Sequence, residues 1–243
     1  MKVIFLGTNG WYDTKMGNTV CTLIDSQEGY VILDAGDGIY KAKKYITEDR
    51  PIYLFISHLH LDHISGFHIF PDFLNNKKVQ IILEKGNKEL LESIVKHPFM
   101  APLRKDIIFQ EFSEGKQGSP LNFECLRLKH VDPVFGYRIY LENKIIAYCL
   151  DTGICDNVKK LSRDADLLIT ECSMLPGFSN QKWGHLNSAE AANIAKEAQV
   201  KKMALTHLSV DFKSGNQKKE AEKIAQKIFE NSLIAEDDLV IEI

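Results

Sequence analysis

The segment Phe55-Ile56-Ser57-His58-Leu59-His60-Leu61-Asp62-His63-Ile64-Ser65-Gly66 constrains this chain more than any other. An apolar run breaks off into four potential metal ligands, three histidines and an aspartate within six residues. Side chains alternate along an extended segment, so His58 and His60 fall on one side. A tight turn into a following helix then presents Asp62 and His63 to a neighbouring position. Neutral imidazoles and a carboxylate suit Zn²⁺, with Mn²⁺ or Fe also accommodated, and three protein ligands plus water leave a position open for chemistry. The whole chain has only eight histidines, so a chance grouping of this density is a poor explanation.

Around this segment, short β-type runs at Lys2–Leu6, Thr19–Asp25, Tyr30–Asp34 and Ile52–Ile56 are punctuated by Gly7, Gly17, Gly29 and the cluster Asp34-Ala35-Gly36-Asp37-Gly38. Asp37–Ile46 reads as a short amphipathic helix, and Asn87–His97 has helical spacing that Pro98 stops. Further strands are expected near Val79–Leu83, Ile107–Phe112, Leu121–Lys129, Phe135–Leu141, Lys144–Leu150 and Leu167–Thr170. Asn187–Ala198 reads as a helix, with Asn187 as its cap and Glu190 three residues on, as in a capping box. A strand at Met203–Thr206, a long helix from about Asn216 to Asn231 and a last strand near Leu239–Ile243 complete the chain. Strands lead in both halves, helices close each half, and no flexible linker divides them. The expected class is α/β, an αββα sandwich of two mixed sheets packed face to face with helices outside, formed by residues 1–243 as one domain.

Composition removes several functions. Thirty-three acidic and thirty basic residues leave a net charge of −3, which gives no global attraction to nucleic acid or to an acidic membrane. The N-terminal apolar run, Val3 to Leu6, is too short for a signal-peptide core, and no stretch approaches the roughly 18 apolar residues of a membrane span. The five cysteines at 21, 125, 149, 155 and 172 form no CxxC pair. In a chain without a secretory signal they read as reduced thiols, and the expected location is cytoplasmic.

The His-x-His-x-Asp-His segment after a strand resembles the signature of the metallo-β-lactamase superfamily. Later motifs in the expected order extend the resemblance over essentially the whole chain. His130 follows a strand and precedes Val131-Asp132-Pro133. Asp151 ends the apolar run Ile145–Leu150, and His207 ends another in Leu205-Thr206-His207-Leu208-Ser209. Singly, each is more often a structural residue or a turn former; the ordered set carries the resemblance. It implies two divalent metal ions, one held by His58, His60 and His130 and the other by Asp62, His63 and His207, with Asp151 bridging them. His68 and His97 match no motif and are expected to be structural or surface residues.

Four segments are similar to the ribonuclease Z branch in particular: Phe5-Leu6-Gly7-Thr8, Phe135-Gly136-Tyr137-Arg138-Ile139, Ala165 to Cys172, and Gly184-His185-Leu186-Asn187-Ser188-Ala189-Glu190-Ala191-Ala192. In that branch a Glu and a His act as a catalytic pair beside the metals, which the resemblance places at Glu171 and His185, with Asp62 as the further catalytic carboxylate. A histidine at the entry to the Asn187 helix can be fixed in one tautomer by a carboxylate, and can then stabilise a phosphoryl oxygen or protonate a leaving oxygen.

The departures carry as much weight. Ribonuclease Z proteins that process transfer RNA carry a protruding arm, often between the motifs at His130 and Asp151. Here twenty residues lie between those positions, and two expected strands use most of them. In the branch's Pro-x-Lys-x-Arg loop, Asp13 stands in place of Pro, Lys15 is kept and Gly17 replaces Arg. Fewer phosphate contacts remain to anchor a large RNA. In length, and in the stretches Glu171–Met174 and Gly184–Ser188, the chain is similar to armless anti-Pycsar phosphodiesterases and their bacterial relatives, which hydrolyse cyclic nucleotides. The resemblance therefore implies a two-metal phosphodiesterase that opens a 3′,5′-cyclic mononucleotide, with a small substrate rather than large RNA and no membrane partner. A homodimer is expected from the resembling family and from the two aromatics of the Trp11–Met16 segment, although burial of those rings in the protein's own core is a near-equal reading. The alternatives are a transfer-RNA 3′ endonuclease, a thioester or lactone hydrolase on the same scaffold, and a metal-stabilised nucleotide-binding protein without turnover.

Overall fold

In the computed structural model of this chain, residues 1–70 and 77–243 are described. Strand β1 (Lys2–Gly7) sends Val3 and Phe5 into one core and Ile4 and Leu6 into another. A strand covered on both faces reads as an unbroken apolar run, which is how this segment appears in the sequence. It joins β2 (Cys21–Ser26), β3 (Gly29–Leu33), β4 (Ile52–Phe55), β5 (Val79–Glu84), β6 (Ile108–Phe112) and the C-terminal β14 (Val240–Glu242) in a sheet of order β14-β1-β2-β3-β4-β5-β6. Pairing is antiparallel from β14 to β3 and parallel from β3 to β6.

The second sheet repeats that scheme. It contains β7 (Gly115–Gln117), β8 (Asn122–Arg127), β9 (Phe135–Leu141), β10 (Lys144–Cys149), β11 (Leu167–Cys172), β12 (Met203–Leu208) and β13 (Ser232–Ile234), ordered β13-β12-β11-β10-β9-β8-β7. Strands β7 to β10 are antiparallel and β10 to β13 parallel. The sheets face each other across a core that includes Phe5, Phe55, Phe123, Tyr137, Tyr148 and Ile169. Phe55 meets Phe123 and Tyr137 edge to face, with ring centroids 5.0 and 5.1 Å apart, the geometry aromatic quadrupoles prefer.

The helices lie outside, as the strand and helix order implies. Among the described residues they include α1 (Leu61–Ile64), α2 (Asn87–Ile94), α3 (Asp156–Ser162), α4 (Ser188–Glu197) and α5 (Gly215–Ile228). One outer core packs Ile39, Ala42 and Leu91 on the first sheet, and the other packs Leu161, Ile194 and Ala221 on the second. Helix α4 begins at the expected capping box: the Asn187 side chain accepts from the Ala189 and Glu190 N–H groups, and Glu190 accepts from the Asn187 N–H.

Several boundaries differ from the sequence reading. Asp37–Lys44 is a short helix of the 3-10 type, and it stops before Ile46; Gly38 lies against the Gly7 backbone, so the segment is drawn tightly onto the sheet. Helix α2 stops at Ile94, because Val95 leaves the helical region well before Pro98. Helix α5 stops at Ile228, where Phe229 is extended and leads into β13. Strands β7 and β13 have three residues each, too few for an alternating pattern to register. Among the described residues no helix is long and apolar enough to cross a membrane.

Candidate metal centre

Strands β4, β10, β11 and β12 end at one edge of the sandwich, where open α/β sheets place their ligands. Chain leaving β4 carries His58 and then His60, whose backbone is extended (φ −63°, ψ 145°) as it enters α1. Their ring centroids are 4.4 Å apart, and His130, on the β8–β9 connection, lies 5.8 and 5.3 Å from them. The first turn of α1 carries Asp62 and His63 to a second group. There His207 Nε2, at the end of β12, lies 3.1 Å from His63 Nε2 and 3.2 Å from Asp62 Oδ2.

Asp151, just beyond β10, stands between the groups. Its Oδ2 is 2.7 Å from His63 Nε2 and 3.5 Å from His58 Nε2, and its Oδ1 is 3.4 Å from His207 Nε2. Ligand atoms of His58, His60 and His130 fall within 4.8 Å of one another, as do those of Asp62, His63 and His207 and those of His58, His63 and Asp151. The seven side chains expected as ligands are thus brought together. His68 and His97 are exposed and belong to none of these groups.

The donor set fits divalent cations. Buried His58 Nε2 and both ring nitrogens of buried-to-half-buried His130 have no hydrogen-bond partner within the chain, a condition native interiors rarely tolerate. Imidazole nitrogens mixed with carboxylates are what Zn²⁺, Mn²⁺ and Fe bind. Three of the residues concerned, or adjacent to the centre, hold left-handed backbone conformations unusual outside glycine: Asp34 (φ 59°), Asp151 (φ 46°) and His207 (φ 46°). Strain of this kind concentrates at functional sites.

Charge balance follows from the packing. Burial opposes a proton on His63, yet Asp34, Asp62 and Asp151 outweigh it and raise its pKa. Burial and the neighbouring His63 push His58 down instead, leaving it neutral and able to bind a metal. Burial works against ionisation of Asp151, but His207 and His63 hold its carboxyl well below the usual range.

A further shell orients the imidazoles, and the sequence reading had not assigned it. Buried Asp34 accepts from Ser57 N at 2.7 Å, from Ser57 Oγ at 2.8 Å and from Tyr148 Oη at 2.8 Å, and lies 2.7 Å from His63 Nδ1. That contact assigns the proton to His63 Nδ1 and turns Nε2 toward the cluster. Asp132 Oδ2 lies 2.8 Å from His60 Nε2, and Ser173 Oγ 2.9 Å from His207 Nδ1. Asp34 read only as a turn former; the neighbouring Asp132 of the His130 motif was the one such residue with a local signal.

Glu171 and His185 meet as expected. Fully buried Glu171 accepts four bonds: Thr152 N at 2.7 Å and His185 Nδ1 at 3.0 Å on Oε1, and Ser173 N and Leu186 N at 3.1 Å on Oε2. Burial disfavours charge on His185, but the Glu171 hydrogen bond and charge, helped by Asp151 and Asp62, raise its pKa to about 9. Gly184 (φ 82°) precedes it, and a side chain there would strike the Lys129 carbonyl.

A cavity of about 920 Å³ opens over the centre. Trp11, Leu61, Leu175, Phe178, Trp183 and Val210 contribute apolar surface, and none of its lining residues is Lys or Arg. Lys15 is exposed and does not reach the lining, and Gly17 is enclosed by Thr8, Asn9 and Asp237. Between His130 and Asp151, β9 and β10 are joined by the two-residue turn Glu142-Asn143, both residues left-handed. That geometry is a tight hairpin with no arm.

Comparison with known proteins agrees with this construction. Residues 30–208 match the Beta-lactamase superfamily domain. The probable metallo-hydrolase YhfI of Bacillus subtilis (strain 168) is 30% identical over 233 residues, covering 92% of this chain and 93% of the relative. A crystal structure of B. subtilis YhfI shares the fold with a TM-score of 0.83 at 24% identity, over 99% of both chains. Ribonuclease Z of Metallosphaera sedula is 25% identical over 294 aligned positions, covering 98% of this chain and 97% of the relative. An alignment that long on a 243-residue chain leaves at least 51 positions without a counterpart here. Human tRNase Z, short form, shares the fold with a TM-score of 0.76 at 20% identity, over 100% of this chain and 99% of that one. Matched across most of its length and carrying the ligand clusters in order, this chain belongs to the β-lactamase superfamily, among the metal-dependent hydrolases related to YhfI and ribonuclease Z.

Proposed function

We propose that the protein is a two-metal phosphodiesterase whose substrate is a 3′,5′-cyclic mononucleotide, opened to a linear monophosphate. The observation that carries this reading is a complete catalytic constellation beneath a cavity whose lining has no cationic Lys or Arg. His58, His60 and His130 would hold one ion, Asp62, His63 and His207 the other, with Asp151 shared between them. Zn²⁺ is the favoured metal for this donor set. Two divalent ions supply Lewis-acid polarisation of a phosphoryl oxygen and acidify an attacking water.

The chain's own groups then divide the work. Asp62 orients the attacking water and takes its proton as the water oxygen bonds to phosphorus. His185, fixed through Nδ1 by Glu171, presents its other nitrogen to the cavity and gives a proton to the departing oxygen as the P–O bond breaks. The binding of long RNA rests on many phosphate contacts and weakens steeply with salt; with no arm and no Lys or Arg in the cavity lining, such contacts are few here.

The test compares kcat/KM for cyclic AMP, GMP, CMP and UMP with that for a precursor transfer RNA at about 150 mM salt, using metal-loaded protein. At least one cyclic nucleotide should be preferred. The second reading is a transfer-RNA 3′ endonuclease, favoured by the end-to-end relation to ribonuclease Z. It replaces the first if every cyclic nucleotide is inert while the RNA is cut at its 3′ end.

A further inference from the structure

This chain has two tryptophans, and both stand in the open at the mouth of one cavity. Trp11 is 76% exposed, Trp183 54%, and Phe178 beside them in the lining 63%. Large aromatic rings are mostly covered in folded proteins, so a group left uncovered together marks a binding surface. Trp11 is held there against its backbone preference, at φ 68°, a conformation that is a genuine outlier for a bulky residue. Its backbone N–H donates to Asp62 Oδ2 at 2.7 Å, and the Asn9 side chain ties the same loop to Thr14 Oγ1 and the Gly17 carbonyl, both at 2.8 Å. Trp183 sits two residues before His185, its N–H donating to Asn180 Oδ1 at 3.2 Å. The backbone of one tryptophan is thus fixed on the carboxylate side of the centre and that of the other on the histidine side.

We propose that Trp11, Trp183 and Phe178 form an aromatic subsite that receives a planar uncharged ring, the nucleobase, of a substrate whose one phosphodiester lies over the metal centre. The identification of the ring as a base rests on the phosphodiesterase reading. Stacking accepts every base, because each has a π face, so the subsite selects for a ring rather than for a particular base. Charge sets the other limit. Away from the metal centre and His185 the lining offers Asp211 and no Lys or Arg, so phosphates beyond the one over the metals would meet a carboxylate rather than a further cation. The class taken is a mononucleotide diester with one negative charge; nucleoside triphosphates are refused.

Because no other tryptophan is present, intrinsic emission reports this subsite directly. Metal-loaded protein is titrated with cyclic AMP, adenosine, ATP and ribose 5-phosphate. Cyclic AMP and adenosine should quench, while ATP should bind at least tenfold more weakly than cyclic AMP and ribose 5-phosphate should leave emission unchanged. Phe178→Ala and Trp183→Ala should each weaken cyclic AMP about tenfold, and Trp183→Phe should restore most of that loss. Emission indifferent to adenosine and cyclic AMP overturns the proposal, as does equal quenching by ribose 5-phosphate. Quenching by a long-chain aliphatic lactone in place of the adenine compounds would assign the surface to an acyl chain, and emission that follows protein concentration would assign it to a second copy; either outcome overturns it. Adenosine is not a phosphodiester, so its quenching can hold even where cyclic AMP is not hydrolysed, which separates failure of the subsite from failure of the proposed reaction.

Discussion

Asp62 touches the Trp11 N–H at 2.7 Å, His207 Nε2 at 3.2 Å and His63 Nε2 at 3.7 Å. Burial alone would raise its pKa, but His63 and His207 hold the carboxyl well below the usual range. A carboxylate so placed fits the role proposed for it at the reacting centre. Asp62→Ala should abolish turnover of bis-p-nitrophenyl phosphate while thermal unfolding stays cooperative; a residual rate above roughly a tenth would remove the role, since loss of a metal-site group normally costs far more. Glu171 is a different case, because its four donors leave no room for an amide. In Glu171→Gln, either orientation turns an N–H₂ toward two N–H donors. We expect kcat to fall about a hundredfold with KM changed little, a loss in the range general acid catalysis supplies. A larger effect on KM than on kcat would make Glu171 a binding residue instead.

At the scale of elements, the second sheet depends on a carboxylate at the start of β11. Asp166 accepts from Ile145 N at 2.8 Å and from Lys201 Nζ at 2.9 Å, joining the beginnings of β10, β11 and β12. Burial pushes its pKa up, but the Lys201 hydrogen bond and the Ile145 N–H prevail and hold it below the usual carboxylate value. A folded pKa below the unfolded one gives stability that is present above the unfolded value and is lost as pH falls through the folded value. Asp166→Asn should therefore lower Tm at pH 7, by the equivalent of about 1–2 kcal/mol, and the gap to wild type should narrow as pH falls through the lowered pKa of Asp166. A gap that is constant with pH would show that packing, not charge, accounts for the loss. Lys201 is mostly exposed, so the buried Ile145 bond should dominate and Lys201→Ala should cost less.

For the whole molecule, the two sheets meet at a centre held by side chains from strands and loops of both. Metal binding to the folded state alone is folding free energy. Removing metal with a chelator should lower Tm by roughly 5–10 °C, taking ion at about a hundred times its Kd and a chain of this size. Re-addition of Zn²⁺ or Mn²⁺ should restore both Tm and activity; a Tm blind to chelation would mean that the ligand clusters are not load-sharing parts of the fold. A homodimer remains a proposal, and light scattering at micromolar concentration should give twice the chain mass. Trp11 and Tyr12 are exposed, as that interface requires, rather than buried in the chain's own core.

Much of this was readable from one chain because it is written in short-range spacing. The apolar run Val3-Ile4-Phe5-Leu6, the Asn187/Glu190 capping box and the His58–His63 segment each need only a few consecutive residues, so local geometry decides them. The resemblance to the family's motif order at His130, Asp151, Glu171, His185 and His207 then implied which strand ends must meet. Tertiary structure alone decided what depends on register across the two sheets. Asp34 reaches His63 over 29 positions, Trp11 reaches Asp62 over 51, and Asp132 reaches His60 over 72. No local pattern carries such pairs, because which side chains oppose each other is fixed by crossovers and strand offsets summed over the whole fold. The same holds for the cavity: that both tryptophans flank its mouth and no Lys or Arg lines it is a property of surfaces contributed by distant segments, which only the packed sandwich brings together.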